Sequence, residues 1–229
     1  MSDAIARALA DKARPARDHA RDLRDHAAEV LAFADLRPGE VVADFLPFRG
    51  YFTRLFSALV GPSGRVFACV PEVLTKIDRI AAGRAEIAAF APGLGNVALL
   101  DGAPEDAGAP PEPIDLFWIA QNYHDLHDPF MGPVDVARFN AAAFAALKPG
   151  GRLILIDHVA EADAPSTVTD TLHRISPAHA RLEFEAAGFV FDGRSSALAN
   201  PDDTHRLSVF AHGRRYHTDR FIYRFRRPS

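Results

Sequence analysis

The chain has 229 residues, 48% hydrophobic and 24% charged. That composition excludes global disorder and supplies a buried core, and the length suits one large α/β domain. No stretch reaches the ~20 apolar residues of a membrane span. The N-terminus is too charged for a signal peptide, so the expected location is the cytoplasm. A single cysteine, Cys69, excludes an internal disulfide and a multi-cysteine metal cage.

The net charge of −4 gives no global reason to expect a nucleic-acid partner. The charge is uneven, however. Residues 205–229 carry seven arginines (206, 214, 215, 220, 224, 226 and 227) and one acid, Asp219. The plain expectation is a solvated terminal hairpin with its arginines in water; the sharper one is a basic rim for an anionic substrate or RNA.

Residues 3–34 predict helix, with charges interleaved and an apolar side of Ile5, Leu9, Leu23, Val30, Leu31 and Phe33. Pro15 breaks or starts a helix there. The apolar side needs a partner, which predicts that these helices cover the cleft or a dimer surface. A turn at 36–39 leads to a buried strand over 41–46. Helical spacing follows over 51–60, stopped by Gly61-Pro62-Ser63-Gly64, and a second buried strand covers 65–70. Strand, helix and strand fill the length of one right-handed βαβ unit.

Alternation continues with a helix over 73–90, a strand over 97–100, a Pro- and Ala-rich loop over 103–113 and a strand over 114–119. A helix over 134–147 ends at Lys148-Pro149-Gly150-Gly151. The strongest apolar strand, 152–157, follows. A helix spans 177–187, and late strands cover 189–198 and 220–226. Repeated β-α alternation predicts a mostly parallel sheet between helices. The expected division is an N-terminal helical extension over 1–36 and one domain over 37–229.

The order of these elements, with Leu147-Lys148-Pro149-Gly150-Gly151 before a strongly apolar strand, resembles the class I S-adenosylmethionine (SAM) methyltransferases. The chain looks most like a bacterial branch of predicted methyltransferases. The supporting segments are 28–34, Val42-Ala43-Asp44 with Pro47 and 50–54, Asn122-Tyr123-His124-Asp125, Leu172-His173-Arg174-Ile175 and Thr218-Asp219-Arg220-Phe221. The resemblance implies a Rossmann-like seven-stranded sheet with an antiparallel last strand, and S-adenosyl-L-methionine bound at the carboxyl ends of the first strands. The switch point of a doubly wound sheet is also where a ligand belongs.

On this resemblance the cofactor residues are Asp44, Pro47, Arg49, Gly50, Glu72, Asp101 and Gln121. The loop departs from the family pattern. In Asp44-Phe45-Leu46-Pro47-Phe48-Arg49-Gly50 only Gly50 keeps a glycine, although glycine permits positive φ and close ligand approach. The loop is therefore either a specialised SAM site, with Arg49 pairing the SAM carboxylate, or a site that has lost its ligand. Val70 stands where the family has a ribose-binding acid, and Glu72 follows two positions late. Asp101 resembles the acid near the adenine.

The candidate chemistry follows the fourth and fifth strands. His124, Asp125, His158 and Asp157 stand at neighbouring strand ends. An imidazole there can take a proton from a methyl acceptor while a carboxylate orients it. The same groups can bind a divalent metal, with His127 and His173 near in sequence or pattern; the expectation is that no metal is held. The leading expectation is a SAM-dependent methyltransferase acting on a small molecule. The alternatives are a non-catalytic relative that has lost SAM, and a metal-dependent enzyme on the same fold.

Overall fold

The computed structural model describes residues 2–132, 134–213 and 217–229. Three short helices open the chain: α1 (Asp3–Ala10), α2 (Ala16–Arg24) and α3 (Ala27–Ala34). The predicted continuous helix is thus broken twice. Asp11 leaves α1 in extended conformation and Pro15, lacking an N–H, caps α2; His26 then takes a left-handed conformation before α3.

The alternating part follows as β1 (Val41–Phe45), α4 (Tyr51–Val60), β2 (Arg65–Cys69), α5 (Asp78–Leu94), β3 (Val97–Leu100), β4 (Ile114–Ala120), α6 (Val136–Ala146), β5 (Leu147–His158), α7 (Val168–Leu172), α8 (Pro177–Ala186), β6 (Val190–Ser195) and β7 (Arg220–Arg226). The predicted helix over 73–90 is a 3₁₀ turn at Glu72–Lys76 followed by α5. The five-residue α7 has no periodicity long enough to read from sequence.

The seven strands pair in the order β3-β2-β1-β4-β5-β7-β6. β7 is antiparallel to both neighbours and the other pairs are parallel. The predicted fold, including the antiparallel last strand and the helical extension, is the fold found. Strand order reverses between β1 and β4, so their carboxyl ends open a switch point.

Period-two alternation gives the sheet two apolar faces. Ala43, Phe45, Phe117, Ile119, Leu153 and Leu155 share a cluster with Phe139 of α6 and Phe184 of α8. Val42, Leu116, Trp118, Ile154 and Ile156 share the other with Leu55 and Phe56 of α4 and with Ile5, Val30 and Leu31 of α1 and α3. The apolar residues of α1 and α3 are therefore occupied by the chain's own α4 and sheet face, whereas Leu23 of α2, expected on the same side, is exposed. Charges stitch α2 to the domain as well: Asp18 accepts from Arg54 Nε at 2.8 Å, Asp22 from the Tyr51 hydroxyl at 2.7 Å, and Asp25 pairs with Arg220 at 3.2 Å.

That last pair corrects the expectation of a solvated arginine tail. Arg220 is buried, Arg224 and Arg226 share Asp192, Arg206 pairs with Glu161, and Arg227 donates to three carbonyls at the C-terminal end of α6, those of Phe144, Ala145 and Leu147. Arg214 and Arg215 lie outside the described residues. The arginines described on this segment are neutralised or used as staples, which leaves no open basic rim among them.

Candidate functional site

The loop after β1 keeps an unusual backbone. Leu46 (φ +49°), Phe48 (φ +50°) and Gly50 (φ +74°) are all left-handed. Residues with a Cβ adopt that region at a cost of roughly 1–2 kcal/mol each. Packing holds them there. Leu46 is buried in the larger cluster beside Val70, Leu74, Ile80 and Ile87. Asn122, at the end of β4, donates from Nδ2 to the carbonyls of Phe45 and Leu46 at 3.0 and 3.1 Å.

The space over this loop belongs to α5. A Cβ on Gly50 would stand 2.6 Å from the Phe90 ring, and one on Gly83 would overlap the Phe48 carbonyl oxygen. Arg54 lies over the Phe90 ring, 4.6 Å from its centre. Arg49 pairs with Glu86 at 3.2 Å, and Asp101 with Arg84 at 2.5 Å. Both candidate cofactor residues are therefore turned toward α5. Asp44 is buried and accepts from the Thr53 hydroxyl at 2.7 Å; burial pushes its carboxyl up to about 7. Pro47 is half-buried, Gln121 uses its N–H on the Ile156 carbonyl, and Glu72 is exposed.

These residues do not fit SAM in the way the resemblance implies. Leu46 fills the place of the first glycine, the buried Val70 offers nothing to a ribose, and the Gly50 face is covered by Phe90 and Ile87. Sequence reading found the missing glycines and the missing acid. It predicted the helix that contains α5 but missed its packing on this loop, because a helix packing on a loop leaves no local signal.

The second candidate group does converge. His124 Nδ1 lies 2.7 Å from Asp157 Oδ1, and its backbone N–H donates to Asp157 Oδ2. Its Nε2 is 3.3 Å from Asp125 Oδ1. The His124 and His158 rings are 6.1 Å apart, and His173 reaches Asp125 at 3.8 Å. Burial opposes charge on His124, but Asp157 and Asp125 raise it to about 10. Asp125, despite its own burial, is held down at about 2 by hydrogen bonds from His124 and His173. Burial depresses His158 to about 3, and its Nδ1 meets the Thr218 hydroxyl at 2.8 Å. Asp157 and Asp125 hold His124 toward its protonated form, and burial holds His158 neutral. A protonated imidazole cannot accept a proton, and His158 can accept one only as a weak base, because its pKa lies far below the operating pH.

A further group was legible only in part. His127 Nε2 lies 2.9 Å from Glu183 Oε1, His179 Nε2 lies 3.3 Å from the same oxygen, and the Tyr123 hydroxyl donates to Glu183 Oε2 at 2.9 Å. Among the described residues two sets of donors, His124–Asp125–His173 and His127–His179–Glu183, converge within 4.8 Å and could hold a metal. His179 and Glu183 lie one turn apart on α8, a spacing visible in the sequence, but their meeting with His127 depends on how α8 packs.

The second of these groups borders a cavity of about 970 Å³ between α7, α8 and the loop after β4. Its lining includes His127, Asp128, Val168, Thr169, Ile175 and Leu182. A volume of this order accommodates a small organic molecule.

No family model matches the chain, and no curated protein matches it. Solved structures share its fold. A SAM-dependent methyltransferase from Aquifex aeolicus superposes with a TM-score of 0.58 at 19% identity, over 87% of this chain and 88% of that one. The pyocyanin biosynthetic protein PhzM gives 0.59 at 17%, over 91% of this chain and 55% of its own. An arsenic(III) SAM methyltransferase from Chlamydomonas reinhardtii gives 0.60 at 16%, over 100% and 74%. At such identities the likeness establishes the fold, which is that of the class I methyltransferases, and function must be argued from the site. No helix among the described residues is long and apolar enough to cross a membrane.

Proposed function

We propose that this chain is a small-molecule-binding protein on the methyltransferase fold, one that does not hold SAM at the ends of β1, β2 and β3. Its ligand site is the cavity between α7 and α8. The observation that carries this reading is the packing around the β1 loop: Leu46, standing where the resemblance expects a small residue, is buried in the core, and α5 closes on Gly50. The histidine cluster supports it, because His124 is engaged by carboxylates at both nitrogens and neither His124 nor His158 lines the cavity. Titration calorimetry of the native chain with SAM and S-adenosylhomocysteine tests it. No saturable heat is expected; micromolar binding would overturn it.

A second reading, a SAM-dependent methyltransferase acting on a small molecule, is favoured by two observations. The loop retains left-handed backbone at three alternate positions, and Asn122 Oδ1 at the switch point is buried without a hydrogen-bond partner. On this reading α5 shifts to admit the cofactor, and the same calorimetry gives the opposite result. A metal-dependent enzyme on this fold is supported by the two donor groups. A stoichiometric, chelator-sensitive metal in the purified protein would favour it.

A further inference from the structure

Asp128 stands apart from the other carboxylates. It is 1% exposed, and both its carboxylate oxygens are buried without a hydrogen-bond partner; no other described carboxylate has this. Such a group demands an explanation, since an unmatched buried charge is costly. The Thr169 hydroxyl and the charges of His124 and His173 ease its burial, but that hydroxyl donates to the Ser166 carbonyl at 3.1 Å and neither histidine hydrogen-bonds to Asp128. His124 is already matched by Asp157 and Asp125, and His127 by Glu183.

Asp128 lines the cavity of about 970 Å³. The walls around it are largely apolar, including Val134, Val136, Pro165, Val168, Ile175 and Leu182. A second acid, Asp170, faces the same space. An apolar chamber with one uncompensated carboxylate is built to take a positive charge carried on an apolar body.

We propose that this cavity binds a small organic cation, an amine protonated at neutral pH on an apolar body, with Asp128 as its counter-charge. The proposal rests on the reading that the cavity is the ligand site, and it names the ligand class. The ammonium sits at the Asp128 side of the cavity, held by the charge of that carboxylate, and the hydrocarbon part lies against the aliphatic walls. A neutral molecule of the same shape leaves the carboxylate unmatched, so the site discriminates by charge. A hydrogen bond to a charged group supports about a ten- to hundredfold preference.

The test is calorimetry with 2-phenylethylamine, 2-phenylethanol and zinc chloride on the native chain, Asp128→Asn and Glu185→Gln, the last a carboxylate on α8 that pairs with Arg181 outside the cavity. The amine is expected to bind the native chain at least tenfold tighter than the alcohol. Asp128→Asn should lose that preference, and Glu185→Gln should keep it. Unliganded Asp128→Asn should melt at or above the native temperature, because it removes an unmatched charge; this keeps a loss of binding distinct from a loss of folding. Equal affinity for amine and alcohol, no binding of the amine, or amine binding unchanged in Asp128→Asn would overturn the proposal. Saturable zinc binding lost in Asp128→Asn would also overturn it, by making Asp128 a metal ligand. SAM binding that survives Asp128→Asn would overturn the broader reading of the cavity. Silence toward both SAM and amines would overturn only the ligand class.

Discussion

His124 is where the charge economy of the interior can be measured. It is a cation between Asp125 and Asp157, with a folded pKa of about 10 against about 6.5 for a free imidazole. Its contribution to stability is therefore complete below about pH 6.5 and is lost as pH rises through 10. His124→Gln strands two buried carboxylates and is expected to cost about 3–5 kcal/mol near pH 6.5. Melting curves of the native chain and the variant should converge between pH 6.5 and 10.5; a constant gap would contradict the ion-pair account. His158 works in the opposite sense. Its folded pKa of about 3 lies below the unfolded value, so the native chain loses stability as pH falls from about 6.5 toward 3, and His158→Gln should soften that loss. The convergence of His124, Asp125, His158 and Asp157 was legible because strands that neighbour in the sheet end side by side. Their charge states were not, since burial and distance decide those. The pairing of Arg220 with Asp25, 195 residues apart, left no mark in the sequence.

The helix α5 is the element on which the functional reading turns. Gly83 lets its backbone touch the Phe48 carbonyl. In an exposed helix Gly→Ala stabilises by roughly 1 kcal/mol. Here Gly83→Ala should instead lower the melting temperature, because the added Cβ meets backbone that cannot step aside. A rise in melting temperature would show that α5 does not press on the loop. The N-terminal helices give a second test. A chain beginning at Asp35 uncovers the cluster of Leu55, Phe56 and Trp118 and removes Asp18 from Arg54 and Asp25 from Arg220. It should lose solubility and melt lower, and unchanged melting would contradict the packing of α1 and α3. Long periodic elements, such as α4 and the apolar centre of β5, were readable from residue pattern alone. The breaks at Asp11 and His26, and the short α7, depend on single dihedral angles and tertiary packing, which periodicity does not carry.

At the scale of the molecule, β-α alternation was enough to predict a mostly parallel sheet between helices, and the resemblance to the class I methyltransferases supplied its seven strands and antiparallel last strand. The site was harder because a fold preserves backbone while side chains change its use. The β1 loop shows this directly: its left-handed path remains at Leu46 and Phe48, but the volume that glycine would leave open is filled. The central claim is that this filling is what removes SAM. Replacing Leu46, Phe48 and Arg49 with glycine relaxes the left-handed strain at two of the positions and empties the cradle, and Val70→Asp restores an acid at the end of β2. The most direct measurement is calorimetric titration of S-adenosylhomocysteine into the native chain beside this four-residue variant, with folding checked by melting. The account predicts no saturable binding to the native chain and measurable binding to the variant. Micromolar binding to the native chain, weakened by the same substitutions, would contradict it.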